Sequence, residues 1–117
     1  MIPPLAQRHC KSCEGGVEPL PRSASQMLLA DVPGWDLSED ATTLRRTVIC
    51  KNFLEAVTVI QRLAPIAEAE NHHPDLHLTS YKHLTVELST HAIRGLSEND
   101  FILAAKINQL LSSLRAL

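Results

Sequence analysis

The sequence predicts an α+β domain: a four-stranded antiparallel sheet with helices packed on one face, in the order α-β-β-α-β-β-α. Three observations lead there. His83-Leu84-Thr85-Val86-Glu87-Leu88-Ser89-Thr90-His91 alternates with period two, the pattern of a strand with one face buried and one in water. Phe53, Ala56, Val57, Ile60, Leu63, Ala64 and Ala67 recur at helical spacing, as do Phe101, Ile102, Ala105, Ile107, Leu110 and Leu111, so two helices present apolar stripes. The connections between paired strands are short, which favours antiparallel neighbours.

Residues 1–22 read as an extended arm, because Pro3, Pro4, Pro19, Pro21 and Gly15-Gly16 punctuate the chain against regular structure. Such an arm is ordered only by docking. Residues 23–117 form a single domain. Ser23 or Ser25 can cap a short helix carrying Met27, Leu28 and Leu29, which Pro33-Gly34 ends. Trp35 to Leu37 and Leu44 to Cys50 are the first strand pair; in the second, Leu44, Arg46, Val48 and Cys50 share a face. Asn52, with Glu55 three residues on, opens the long helix. Pro65 within it is expected to kink the helix near Gln61 or split it in two. Asp75 to Tyr81 is a third strand and His83 to His91 the fourth, and Ser97-x-x-Asp100 opens the last helix as a capping box.

The 117 residues carry a net charge of −2, and Arg45-Arg46 is the longest basic run, which argues against direct nucleic-acid binding. No apolar run is long enough to span a bilayer, and the N-terminus lacks a secretory segment. A soluble, cytoplasmic protein is expected, a processed organellar form being the alternative. Aromatic content is only 3%, so the core is built from aliphatic residues with Trp35, Phe53 and Phe101 as its large pieces. Cys10, Cys13 and Cys50 are an odd set without an export signal, so reduced thiols are expected. Cys10-Lys-Ser-Cys13 beside His9 is half of a zinc pattern with no second pair after it, and the simpler reading is an arm lying on the domain.

The chemistry concentrates at Glu68 to Pro74, where two of six histidines, His72 and His73, precede a proline. Glu68 stands four residues before His72, one helical turn away and able to orient its imidazole. The residue before proline is driven toward extended backbone, which can aim both rings into one cleft. His91 ends the best strand. Three histidines and two acids, Glu68 and Asp100, at element ends are what a general acid-base site looks like in one dimension. The plainer readings are surface or capping histidines, Asn71 as a C-cap and Asp100 as the partner of Ser97. A metal held by His72, His73 and His91 is disfavoured, since adjacent histidines rarely share one ion.

Glu68-x-x-x-His72-His73-Pro74, then Tyr81, then Leu88-Ser89-Thr90-His91, then Gly95-Leu96-Ser97-Glu98-Asn99-Asp100, resembles the signature of pterin-4a-carbinolamine dehydratases. The likeness extends through Gly34-Trp35, Leu44, Arg46, Phe53 and Ala56, and the Cys10-Lys-Ser-Cys13-Glu-Gly-Gly arm is similar to the bacterial and plastid branch. The resemblance implies loss of water from 4a-hydroxytetrahydropterin to give the quinonoid dihydropterin, with pterin as substrate and no metal or second cofactor. By the same resemblance His72 and His91 are acids for the leaving hydroxyl, and His73 binds the pterin and helps move the ring proton. Glu68 and Asp100 then tune the imidazoles, while Asn71, Ser89, Thr90 and Ala92 line the pocket with the histidines. Val48 and Cys50 replace family phenylalanines, and Leu76 replaces a tryptophan found in some members near the pocket. Relatives on this fold also serve as a dimerisation cofactor for a homeodomain transcription factor or as Rubisco assembly factors, so a non-catalytic binding module is the competing expectation. The apolar last helix, extended by Leu114, and the family likeness together predict a homodimer or homotetramer.

Overall fold

Alternation in one strand and a 3.6 period in two helices leave one solution, a sheet whose apolar face is roofed by helices. The computed structural model describes residues 4–11 and 18–115. A helix α1 (Arg22–Leu29) leads to strands β1 (Asp36–Leu37) and β2 (Leu44–Ile49); helix α2 (Phe53–Glu70) follows, then β3 (Asp75–Thr79), β4 (His83–Leu88) and helix α3 (Glu98–Arg115). Single 3-10 turns lie at Leu5–Gln7 and His91–Ile93. The sheet order is β1-β2-β4-β3 and every pairing is antiparallel. Leu84, Val86 and Leu88 of β4 are buried and share a core with Leu44 and Val48 of β2, Ala56, Val59, Leu63 and Ala67 of α2, and Phe101, Leu103, Ile107 and Leu111 of α3. The opposite sheet face is polar: Glu87 lies between Arg45 Nη2 at 2.6 Å and His77 Nε2 at 2.7 Å.

Asn52 caps α2 as the spacing requires, its Oδ1 accepting the Glu55 N–H at 2.9 Å. Pro65 neither splits nor ends that helix, which runs as one element to Glu70; the bonds of the turns around it and the packing of Leu63 and Ala67 outweigh one lost N–H. The buried stripe is Ala56, Val59, Leu63 and Ala67 rather than one through Phe53 and Ala64, and Phe53 is exposed at the helix start. The arginine on the core face of β2 has a partner at the edge: Arg46 Nη1 and Trp35 Nε1 both donate to Asn108 Oδ1, and Asn108 Nδ2 donates to the Pro33 carbonyl at 2.9 Å. Neither predicted serine caps α1. Pro21 occupies its N-cap, and Ser25 is buried one turn inside.

The arm docks. Leu5 is buried in the common core, Lys106 Nζ on α3 donates to the Ala6 carbonyl at 2.9 Å, and Arg8 meets Glu98 at 3.0 Å. This covering accounts for apolar surface of α3 that the sheet leaves over, with Ala105, Leu110 and Leu114 packed at the margin of the core. Large exposed apolar side chains lie elsewhere, at Met27, Ile49, Phe53, Leu54 and Tyr81. Among the described residues no helix is long and apolar enough to cross a membrane.

Beyond the arm's undescribed stretch, Leu20 N–H donates to the Leu96 carbonyl at 2.8 Å, and Pro19 lies on Gly95 so closely that a Cβ there would stand 2.7 Å from Pro19 Cβ. A rigid ring cannot swing away from that contact. Gly95→Ala is therefore expected to destabilise the fold by about 1–3 kcal/mol, read as a lower urea midpoint; an unchanged midpoint would show that this contact is loose.

Candidate active site

Helix α2 ends in a Schellman turn. Asn71 adopts the left-handed conformation (φ 49°), its N–H donating to the Glu68 carbonyl and the His72 N–H to the Ala67 carbonyl at 3.2 Å. The turn takes His72 off the helical register, so the expected pairing of Glu68 with His72 does not form. His73 instead donates from Nε2 to Glu68 Oε1 at 2.7 Å in an exposed pair, while His72 is carried inward toward the start of α3.

There Nε2 of His72 donates to Asp100 Oδ1 at 2.6 Å. Asp100 is fully buried, and its other oxygen accepts from the Thr90 hydroxyl at 2.8 Å and the Ser97 N–H at 3.0 Å. The last of these is half of the capping box; Ser97 turns its own hydroxyl to Thr90 at 2.8 Å. One carboxylate thus joins the end of α2, the loop after β4 and the first turn of α3. A buried carboxylate needs such donors, since each bond to a charged acceptor is worth about 1.5–3 kcal/mol and an unpaired one would not tolerate burial. His91 is not on β4, which ends at Leu88; Thr90 bridges to Gly95, and His91 opens the 3-10 turn, exposed. The tight return from Thr90 to Gly95 breaks the alternation.

His72, His73 and His91 all border one cleft of about 410 Å³, whose wall also includes Asn71, Ser89, Thr90 and Ala92. Glu68 and Asp100 stand behind it, each on an imidazole. Grooves of about 570 and 500 Å³ lie along α3, but neither touches a histidine, so chemistry rather than size selects the smaller cleft. Leu76 packs against the core instead of bordering the cleft.

Sequence reasoning missed four contributors: Cys10, Lys11, Glu70 and Asn99 also border the cleft. Glu70 Oε1 accepts the Cys10 N–H at 2.7 Å, and Oε2 meets His9 Nδ1 at 2.9 Å and Lys106 Nζ at 3.6 Å. Burial would raise the Glu70 carboxyl, but the Cys10 N–H, His9 and Lys106 together hold it below the usual carboxylate range. Burial, seconded by the charges of Glu70 and Asp100, pushes the Cys10 thiol up to about 12. That thiol keeps the proton that a metal ligand or redox cysteine would have to release. Among the described residues no three His, Cys, Asp or Glu side chains converge as a metal site, and Cys13, the other half of the zinc pattern, lies outside them. Nothing in the spacing of an acid at position 70 signals that an arm sixty residues upstream will bind it.

A cleft bordered by three imidazoles, two of them held by carboxylates, brings together the groups that acid-base chemistry uses. The family model of pterin 4 alpha carbinolamine dehydratase matches residues 18–110. A protein of Halorhodospira halophila named for the same activity is 43% identical over 91% of this chain and 96% of its own length. Pterin-4-alpha-carbinolamine dehydratase 2, mitochondrial, of Arabidopsis thaliana is 46% identical over 91% of this chain and 58% of its own. Among solved structures, a transcriptional coactivator/pterin dehydratase from Brucella melitensis superposes with a TM-score of 0.74 at 28% identity, covering 80% of this chain and 98% of that one. The chain belongs to the pterin-4a-carbinolamine dehydratase family.

Asp100→Asn keeps the shape but replaces an acceptor with a donor that must face either His72 or Thr90. Activity is expected to fall on the order of a hundredfold, assayed by turnover beside a circular dichroism check of the fold. Glu70 gives a pH signature. Its folded pKa is lowered, so its contribution to stability is full above the ordinary glutamate range and is lost as pH falls through the lowered value. Between pH about 6 and about 3, Glu70→Gln is expected to flatten part of the acid-side fall in unfolding free energy; an unaltered slope would mean that the carboxylate's partners contribute little.

Proposed function

We propose that this chain dehydrates 4a-hydroxytetrahydropterins to quinonoid dihydropterins, a lyase reaction in which the three cleft histidines move the protons. The observation that carries the reading is the His72–Asp100 pair inside a cleft shared with His73 and His91. Hydroxide leaves poorly, so an acid must protonate the 4a oxygen as the C–O bond breaks, while a base removes the proton from the adjacent ring nitrogen; water departs and a carbon–nitrogen double bond forms. A carboxylate accepts at Nε2 of His72 and of His73, so each ring keeps a hydrogen there and works at Nδ1, His72 giving the hydroxyl a proton when that nitrogen is also protonated and His73 taking the ring-nitrogen proton at its bare one. His91, on the exposed turn, stands as the second acid. The polar wall of Asn71, Ser89 and Thr90 supplies hydrogen bonds to the pterin rim. In this reading pterin is the substrate and the chain's own side chains supply the whole chemistry.

Rapid-mixing absorbance of freshly generated 4a-hydroxytetrahydropterin tests the proposal. The intact chain should accelerate loss of the intermediate, and His72→Ala with His91→Ala together should return it to the spontaneous rate. Full activity in that double variant would remove the histidines from the mechanism, and no acceleration by the intact chain would favour a binding module. We also infer self-association. Ile49, Phe53, Leu54 and Tyr81 expose large apolar side chains near one end of the sheet, where Cys50 N–H donates to the Lys82 carbonyl and joins the β2 end to the β3–β4 turn. Light scattering is expected to show a homo-oligomer, and a clean monomer would contradict this.

A further inference from the structure

The cleft has a wall that does not belong to the helices or the sheet. Cys10 and Lys11 border it from the arm, and two side chains fasten them there by their backbone. Glu70 accepts the Cys10 N–H at 2.7 Å. Asn99 accepts the Lys11 N–H through Oδ1 at 2.9 Å and returns an amide hydrogen to the Lys11 carbonyl, the paired exchange that a neighbouring strand would otherwise provide. Cys10 Sγ adds a contact to the Asn99 carbonyl at 3.6 Å. The Glu70 side chain is only 7% exposed, and the proton transfers above make no use of it. A buried carboxylate held among His9, Lys106 and a backbone N–H therefore serves the position of the arm.

We propose that Cys10–Lys11 forms a substrate-binding wall of the pterin pocket, and that Asn99 and Glu70 are positioning residues that set substrate affinity through it. The proposal rests on the dehydratase reading and extends it, assigning the arm to recognition of a flat pterin rather than to the chemistry. A wall touches ground state and transition state alike, so its loss weakens binding uniformly: KM rises while kcat moves far less.

Two perturbations reach the wall independently, removal of residues 1–11 and Asn99→Ala in the full chain. Each is expected to raise KM about tenfold with a much smaller change in kcat, and the combined variant should be no worse than either, since both act through one contact. Asn99→Ala keeps the test open should the truncated chain fail to fold for want of Leu5. A second readout needs no turnover: saturating 7,8-dihydropterin should slow tryptic cleavage after Arg8 and Lys11 in the intact chain. An unchanged KM in both variants, additive effects in the combination, or cleavage indifferent to the dihydropterin would overturn the proposal. Failure of the intact chain to accelerate dehydration would instead overturn the dehydratase reading, and the arm's role with it.

Discussion

The structure depends on one buried carboxylate. Asp100 has no exposure to water and accepts from His72, Thr90 and the Ser97 N–H, so three segments of the chain meet at two oxygen atoms. Removing any donor would leave charge in a low-dielectric interior, a cost of several kcal/mol in general, and this holds the end of α2, the Thr90–Gly95 return and the start of α3 in register. The same bond fixes the tautomer and direction of His72. Stability and the geometry of the cleft are thus one interaction, and the cleft is anchored at His72 and open at His73 and His91, which meet solvent.

Around that node the local backbone does the aiming. The Schellman turn at Asn71 separates two adjacent imidazoles, sending His72 under α3 and His73 back along α2 to Glu68. Pro74 then commits the chain to β3. Gly95 closes the other side, where only a residue without a Cβ admits Pro19. The arm completes the enclosure from Leu5 to Lys11, and its anchors Glu70 and Asn99 stand immediately before Asn71 and Asp100, residues that the site already uses. The fold therefore builds its pocket from the ends of elements, with the sheet as foundation.

Much of this was legible in the sequence because the signals were local. The period of β4, the Asn52 cap and the Ser97-x-x-Asp100 start each depend on residues within a turn of one another, and each is present. What escaped was set by contacts distant along the chain. Spacing along a helix assigned Glu68 to His72, but a left-handed residue between them changed the partner. Asp100 read as a cap is correct and incomplete, since its second oxygen's companion is twenty-eight residues away. Pro65 is tolerated because packing on both sides of it outweighs its local penalty, and Phe53 lies outside because the helix begins beyond the edge of the core. The arm carried punctuation signalling irregular backbone, without any sign of the carboxylate and amide that bind it.

Asp100 holds His72 as the Nε2–H tautomer inside the cleft. Long-range proton–nitrogen correlation NMR of the histidine side chains, with His72 assigned by its disappearance in His72→Gln, tests it most directly. The His72 Nε2 proton is expected to be downfield and slow to exchange with water, and to be lost in Asp100→Asn while the backbone spectrum persists. A His72 ring protonated at Nδ1 alone, or one whose protons exchange as fast as those of exposed His77, would contradict it.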